Sequence, residues 1–218
     1  MTSSPLGKTY AAFLFDMDGT LLSSLEAAER VWSAWGERHG LDLETFLPTI
    51  HGRRAPDTIR AQNLKGIDLQ AEIDWVTQGE LADTDGIVAI KGVQAFLNAI
   101  PKDRWAIVTS APRELARVRL EAAGITPPAI MVAGEDIEIG KPSPDCFLEG
   151  AKRLGVDAAD CLIFEDAPAG IEAGERARAD LVVITATHQH GYDGGHFHVE
   201  NYEGLGVVVD GNRVGIAR

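Results

Sequence analysis

Short, nearly continuous apolar runs punctuate this chain, with amphipathic stretches between them. Tyr10 to Phe15, Trp105 to Val108, Ala129 to Val132, Cys161 to Phe164 and Leu181 to Ile184 are five such runs. Their lack of polar alternation predicts parallel strands covered on both faces. Between them the spacing predicts helices over Pro112 to Ala123, Pro144 to Leu154 and Pro168 to Ala177. Each opens on a proline near its first turn, where a missing N–H costs little, and two stop at glycine, at Gly124 and Gly155. This alternation predicts an α/β fold on a doubly wound parallel sheet.

One interval departs from the alternation. Between the first run and Trp105 the pattern is helical, notably over Leu25 to His39 and Ala71 to Leu81. In the first, Leu25, Ala28, Val31, Trp32 and Trp35 recur at three- and four-residue spacings and form one apolar face. Trp32, Trp35 and Trp75 are expected to pack this unit, and Trp105 the sheet edge. The expected organisation is a Rossmann-like core of residues 1–21 and 91–218, with a helical cap of residues 22–90 inserted after the first strand. Such a cap would lie over the C-terminal end of the sheet, where α/β proteins bind ligands, and could exclude water. Near the C-terminus His188, His190, His196 and His198 lie among glycines. This stretch reads as a mobile polar connection rather than a metal site, for want of a rigid scaffold. Leu205 to Val209 reads as a late edge strand.

The totals narrow the function classes. The 218 residues suffice for a sizeable core in one domain, or one and a small second. A net charge of -13 disfavours nucleic acid or an anionic membrane as partner, since both require clustered Lys and Arg. An anionic small substrate stays open, because a bound divalent cation inverts the local field. Cys146 and Cys161 are too few for a disulfide framework and lack metal-ligand spacing. Met1 to Lys8 has no apolar core of signal-peptide length, and no run is long enough to span a membrane. The expectation is a cytoplasmic protein, monomeric or weakly dimeric.

Candidate chemistry gathers at the strand ends. The first run ends in Asp16-Met17-Asp18-Gly19-Thr20, and residues i and i+2 of a strand share a face. By itself this is either a carboxylate pair for a cation or an Asp-Gly turn. The second run ends in Thr109-Ser110, the fourth in Glu165-Asp166, and the loop after the third carries Gly140-Lys141-Pro142. In a parallel sheet these ends share one edge. Asp16, Asp18 and Asp166 are hard oxygen ligands suited to Mg²⁺. Thr109 can donate to a phosphoryl oxygen and Lys141 adds positive charge. One carboxylate could attack phosphorus while another moves protons.

These residues resemble the four ordered motifs of the haloacid dehalogenase-like hydrolase superfamily, in its sugar phosphatase and β-phosphoglucomutase-like branch with a helical cap. The motifs are Asp16-Met17-Asp18-Gly19-Thr20, Val108-Thr109-Ser110, Gly140-Lys141-Pro142 and Glu165-Asp166-Ala167-Pro168-Ala169-Gly170. The resemblance implies a phosphatase using an aspartyl-phosphate intermediate, with Asp16 the nucleophile and Asp18 the general acid/base. It implies Mg²⁺ held by Asp16, Asp166, the Asp18 backbone carbonyl and, through water, Glu165. Thr109 and Lys141 would hold the phosphoryl group, with backbone amides near Met17 and Ser110. Two positions depart from the family: Ser23, where many relatives are acidic, and Ala28, where mutase relatives carry a cap histidine. The second favours transfer to water over a mutase reaction.

In the cap, His51-Gly52-Arg53-Arg54 resembles the specificity loop of sugar- and polyol-phosphate phosphatases. Gly52, Arg53, Arg54 and Ser110 are the substrate-binding candidates, against the alternative of solvated arginines on a turn. Asp83 and Asp85 read as a solvated helix end. The expected substrate is a small phosphorylated sugar or polyol, with a phosphoglycolate-type compound related. The alternatives are a phosphosugar mutase, a metal-free dehalogenase and a non-catalytic sugar-phosphate-binding module.

Overall fold

The computed structural model describes residues 4–188 and 191–218. Its strands are β1 (Thr9–Tyr10), β2 (Ala12–Phe15), β3 (Leu22–Ser23), β4 (Val88–Ala89), β5 (Trp105–Val108), β6 (Met131–Val132), β7 (Cys161–Glu165), β8 (Asp180–Ile184), β9 (Phe197–Val199), β10 (Gly206–Asp210) and β11 (Arg213–Ala217). Its α-helices are α1 (Leu25–Arg38), α2 (Leu43–Phe46), α3 (Ala55–Ala61), α4 (Leu69–Ala82), α5 (Val93–Asn98), α6 (Arg113–Ala122), α7 (Asp145–Leu154) and α8 (Pro168–Arg176).

Six strands form a parallel sheet in the order β6-β5-β2-β7-β8-β9. The two-residue period of a strand divides its side chains between two cores. Phe13, Phe15, Ile107, Leu162 and Phe164 enter one with Phe96, Leu97 and Leu115 of α5 and α6. Leu14, Ala106, Val108 and Ile163 enter the other with Phe147 of α7 and Ala173 of α8. Phe15 stacks on Phe164 with ring centroids 4.5 Å apart, which locks the two strands that carry most of the site residues. Helices on both faces make this the doubly wound α/β architecture.

Helices α1 to α4 pack round a separate core of Val31, Trp32, Trp35, Phe46, Ile50, Ile59 and Val76. The chain enters and leaves them through a short antiparallel pair, with Leu22 opposite Ala89 and Ser23 opposite Val88. Trp75 departs from expectation. It is 38% exposed, and the Arg38 guanidinium lies 4.6 Å over its ring. Val76 and Glu80 take the inward positions of α4, so its neighbour Trp75 faces outward.

Two other expectations change and one holds. The run from Tyr10 to Phe15 is two strands, because Tyr10 pairs with Val214 in a second sheet of order β1-β11-β10 while Ala12 opens the main sheet. There Tyr10 Oη donates to Asp180 at 2.7 Å. The expected late strand exists as β10, at the edge of that second sheet. The histidine-rich connection is also partly ordered. Phe197–Val199 adds to β8, and the His196 ring lies 2.9 Å from a Glu175 carboxylate oxygen. His190 lies outside the described residues. Among the described residues no helix is long and apolar enough to cross a membrane.

Candidate active site

The parallel sheet delivers Asp16, Thr109 and Glu165 to one edge. Asp16 N–H donates to Phe164 O and Thr109 N–H to Val132 O, both at 2.9 Å, so the backbone fixes two of these positions. Lys141 enters from the loop before α7. Its Nζ donates to Asp16 Oδ1 and Glu165 Oε1, each at 2.6 Å, and to Val108 O at 3.3 Å. All three ammonium donors are therefore directed. The other Glu165 oxygen accepts the N–H groups of Asp166 and Ala167 at 2.8 and 2.9 Å. Both motif glycines are required by these carboxylates. A Cβ at Gly19 would overlap the Asp166 carboxylate, and one at Gly170 would overlap that of Glu165. Gly19 also has φ +83°, which disfavours a side chain.

Charge does not balance in this cluster. Oxygens of Asp16, Glu165 and Asp166 lie within 4.8 Å of one another, and Lys141 is the cation bonded among them. Burying an unpaired carboxylate costs several kcal/mol, so a three-to-one excess is unfavourable as it stands. Burial accordingly pushes the Asp16 carboxyl up to about 8 despite Lys141, and pushes Asp166 well above the usual range. Burial opposes the charge on Lys141, but Asp16 and Glu165 outweigh it and raise that group. Hard oxygen donors at this spacing with surplus negative charge fit a small divalent cation such as Mg²⁺. The Asp18 carboxylate lies outside this trio. Its Oδ1 accepts from Ser24 Oγ at 2.5 Å and from Arg119 at 3.0 Å.

The site opens into a cavity of about 570 Å³ between the sheet edge and helices α1 to α4. Asp16, Asp18, Thr109, Ser110 and Asp166 line its core side; Trp32, His51, Gly52 and Arg53 line the other. Thr109 Oγ1 accepts from Ala111 N–H at 3.1 Å, which leaves its O–H to donate. Ser110 Oγ instead donates to Gly52 O at 2.9 Å, tying the core to the loop above it.

Arg54 corrects the expectation of a substrate contact. Its guanidinium bonds Asp57 at 2.6 and 3.2 Å and the carbonyls of Ile137 and Glu138 at 2.7 and 3.0 Å. It leaves the cavity because it caps the start of α3 and turns toward the loop before Lys141, where backbone oxygens satisfy its planar fork. Asp83 caps α4 and takes two bonds from exposed Arg30, while Asp85 is exposed; neither lines the cavity.

Sequence reasoning missed several lining residues. Arg119 and Glu80 are 5% and 8% exposed and joined at 3.0 Å. The available signal was a charge on an otherwise apolar helix face, Arg119 between Ala116 and Leu120. His51, already part of the loop likened to a specificity loop, lines the wall and is held below its usual pKa by burial. His188 also lines it, one ring N–H donating to Asp166 O at 2.9 Å.

The fold is a doubly wound α/β sheet whose edge, lined by carboxylates, faces a cavity under helices α1 to α4. A family model described as haloacid dehalogenase-like hydrolase matches residues 10–178, and the chain belongs to that family. Hexitol phosphatase A of Escherichia coli is 41% identical over 178 residues, covering 80% of this chain and 82% of that protein. Glycerol-1-phosphate phosphohydrolase 2 of Saccharomyces cerevisiae is 32% identical over 227 residues, covering 95% and 88%. Among solved structures, a hydrolase from Pseudomonas syringae is similar with a TM-score of 0.74 at 25% identity, over 85% of this chain and 88% of that one.

Proposed function

We propose that the protein is a Mg²⁺-dependent phosphatase that hydrolyses a small phosphorylated sugar or polyol through an aspartyl-phosphate on Asp16. It is a phosphoric monoester hydrolase. The observation that carries the reading is the Asp16 carboxylate, locked 2.6 Å from Lys141 beside Asp166 and facing a cavity that also holds Asp18.

Asp16 attacks phosphorus, the P–O bond to the substrate carbon chain breaks, and Asp18 gives its proton to the leaving oxygen. Asp18 then takes a proton from water as that water attacks phosphorus. The bond to Asp16 breaks and inorganic phosphate leaves. The Thr109 hydroxyl donates to a non-bridging oxygen, and Lys141, its three donors held by Asp16, Glu165 and Val108, adds positive charge beside the transferring group. Asp16, Asp166, the Asp18 carbonyl and, through water, Glu165 would hold Mg²⁺, which would neutralise charge on the transferring group. Both Glu165 oxygens are already engaged, so its main work is to fix Lys141.

Ala28 lines the cavity and presents a methyl group where mutase relatives carry an imidazole, which supports water as the acceptor. The cavity suits a compact polyhydroxylated substrate, with Trp32 as an apolar wall and His51 and Arg53 as polar partners. The names of the hexitol and glycerol phosphate relatives point the same way.

Phosphate release from a panel of phosphorylated metabolites tests the assignment. Hexitol, glycerol and deoxysugar phosphates are expected to give the highest kcat/KM; preference for a phosphorylated carboxylate, or isomerisation without phosphate release, would contradict it. Chelation with EDTA is expected to abolish turnover, and Mg²⁺ to restore it. Arg53→Ala is expected to raise KM for the preferred sugar or polyol phosphate about tenfold with a smaller change in kcat, since a hydrogen bond to a charged group contributes roughly 1.5 kcal/mol. Steady-state kinetics on the variant checks this.

A further inference from the structure

Arg119 occupies a position that an apolar residue would fill at lower cost. It is one of the buried residues of α6, with Leu115, Ala116 and Leu120, and is 5% exposed. Its Nη1 donates to Asp18 Oδ1 and its Nη2 to Glu80 Oε1, both at 3.0 Å, while its Nε is buried without a partner. A buried ion pair is weak evidence for stability, and an orphaned buried N–H is a further cost. A group kept under those terms beside the site calls for a functional account.

We propose that Arg119, shared between Asp18 of the core and Glu80 of the helical unit, is the positioning residue that sets which oxygen of Asp18 transfers the proton. This rests on Asp18 being the general acid/base. Two donors, Arg119 Nη1 and Ser24 Oγ, converge on Oδ1. That fixes the rotation of the carboxyl group and leaves the proton to Oδ2, on the residue's cavity-lining side chain. Glu80 anchors the other arm of the guanidinium and offsets its charge, so Arg119 supplies direction while the Arg119–Glu80 pair is close to neutral. Glu80 comes from α4 and Arg119 from α6, so the arrangement is complete only when the two units are seated together.

A series of substituted phenyl phosphates tests this, because kcat/KM reports only the steps through formation of the phosphoenzyme. A nitrophenolate leaves without a proton, whereas a phenolate needs one. Arg119→Met is expected to lower kcat/KM for phenyl phosphate at least about tenfold, and for p-nitrophenyl phosphate less than about threefold, steepening the leaving-group dependence. Arg119→Lys is expected to recover part of the phenyl phosphate loss, and Glu80→Gln to steepen the dependence without changing the buried volume. Equal losses across the series, or no loss, in Arg119→Lys and Glu80→Gln would overturn the inference even if Arg119→Met fails to fold. Asp18→Asn is the reference. If it leaves the leaving-group dependence flat, the acid/base reading itself fails. If it steepens the dependence while the Arg119 and Glu80 variants do not, only the positioning role fails.

Discussion

Asp16→Asn is expected to eliminate phosphate release, by at least about 10⁴-fold, while leaving the folded protein as stable as the wild type or more so in the absence of metal. The two effects have one cause. Asparagine removes the attacking oxygen, and losing a nucleophile typically costs several orders of magnitude. It also removes one of three crowded carboxylates served by a single lysine, and so relieves a repulsion that burial has already made costly. Kinetics and thermal denaturation in EDTA on the same preparation check both halves. A dead variant that is also strongly destabilised would mean that Asp16 is chiefly structural.

The opposite sign is expected at Lys141. Lys141→Met should lose activity at least about 10³-fold and also destabilise the protein by about 3–5 kcal/mol, because breaking a buried pair leaves uncompensated charge. Here the uncompensated groups are Asp16 and Glu165, and the Phe147 ring 5.1 Å from Nζ also loses its cation. Denaturant unfolding measures the loss. The double variant Asp16→Asn with Lys141→Met should be more stable than Lys141→Met alone, since it removes one of the stranded charges. A double variant no more stable than the single would show that the two groups do not share their burial cost.

How much of this was readable beforehand follows from where each signal lies. Trp105 to Val108 was legible to the residue because a central parallel strand is apolar on both faces. The motif residues were legible because each sits at a strand end or in a loop that one sheet edge gathers. Arg54 was misread because, beyond Asp57, its partners are the carbonyls of Ile137 and Glu138, and backbone oxygens leave no trace in side-chain identity. Helix α5, at six residues, is too short for a period to register. Strands β1 and β11 pair across nearly the whole chain, from Thr9 to Gly215, a partnership that local pattern cannot announce. Arg119 and Glu80 were visible as charges on apolar faces, but their meeting depends on how α4 docks on α6.

The mechanism turns on a covalent phosphoryl group on Asp16. Rapid acid quench of the Asp18→Asn variant with substrate and Mg²⁺, followed by peptide mass spectrometry, detects it, because that variant lacks the base that activates water. One added phosphoryl group is expected on the peptide containing Asp16. An adduct on His51 or His188 in the cavity wall would contradict it, as would wild-type turnover with no adduct on any peptide.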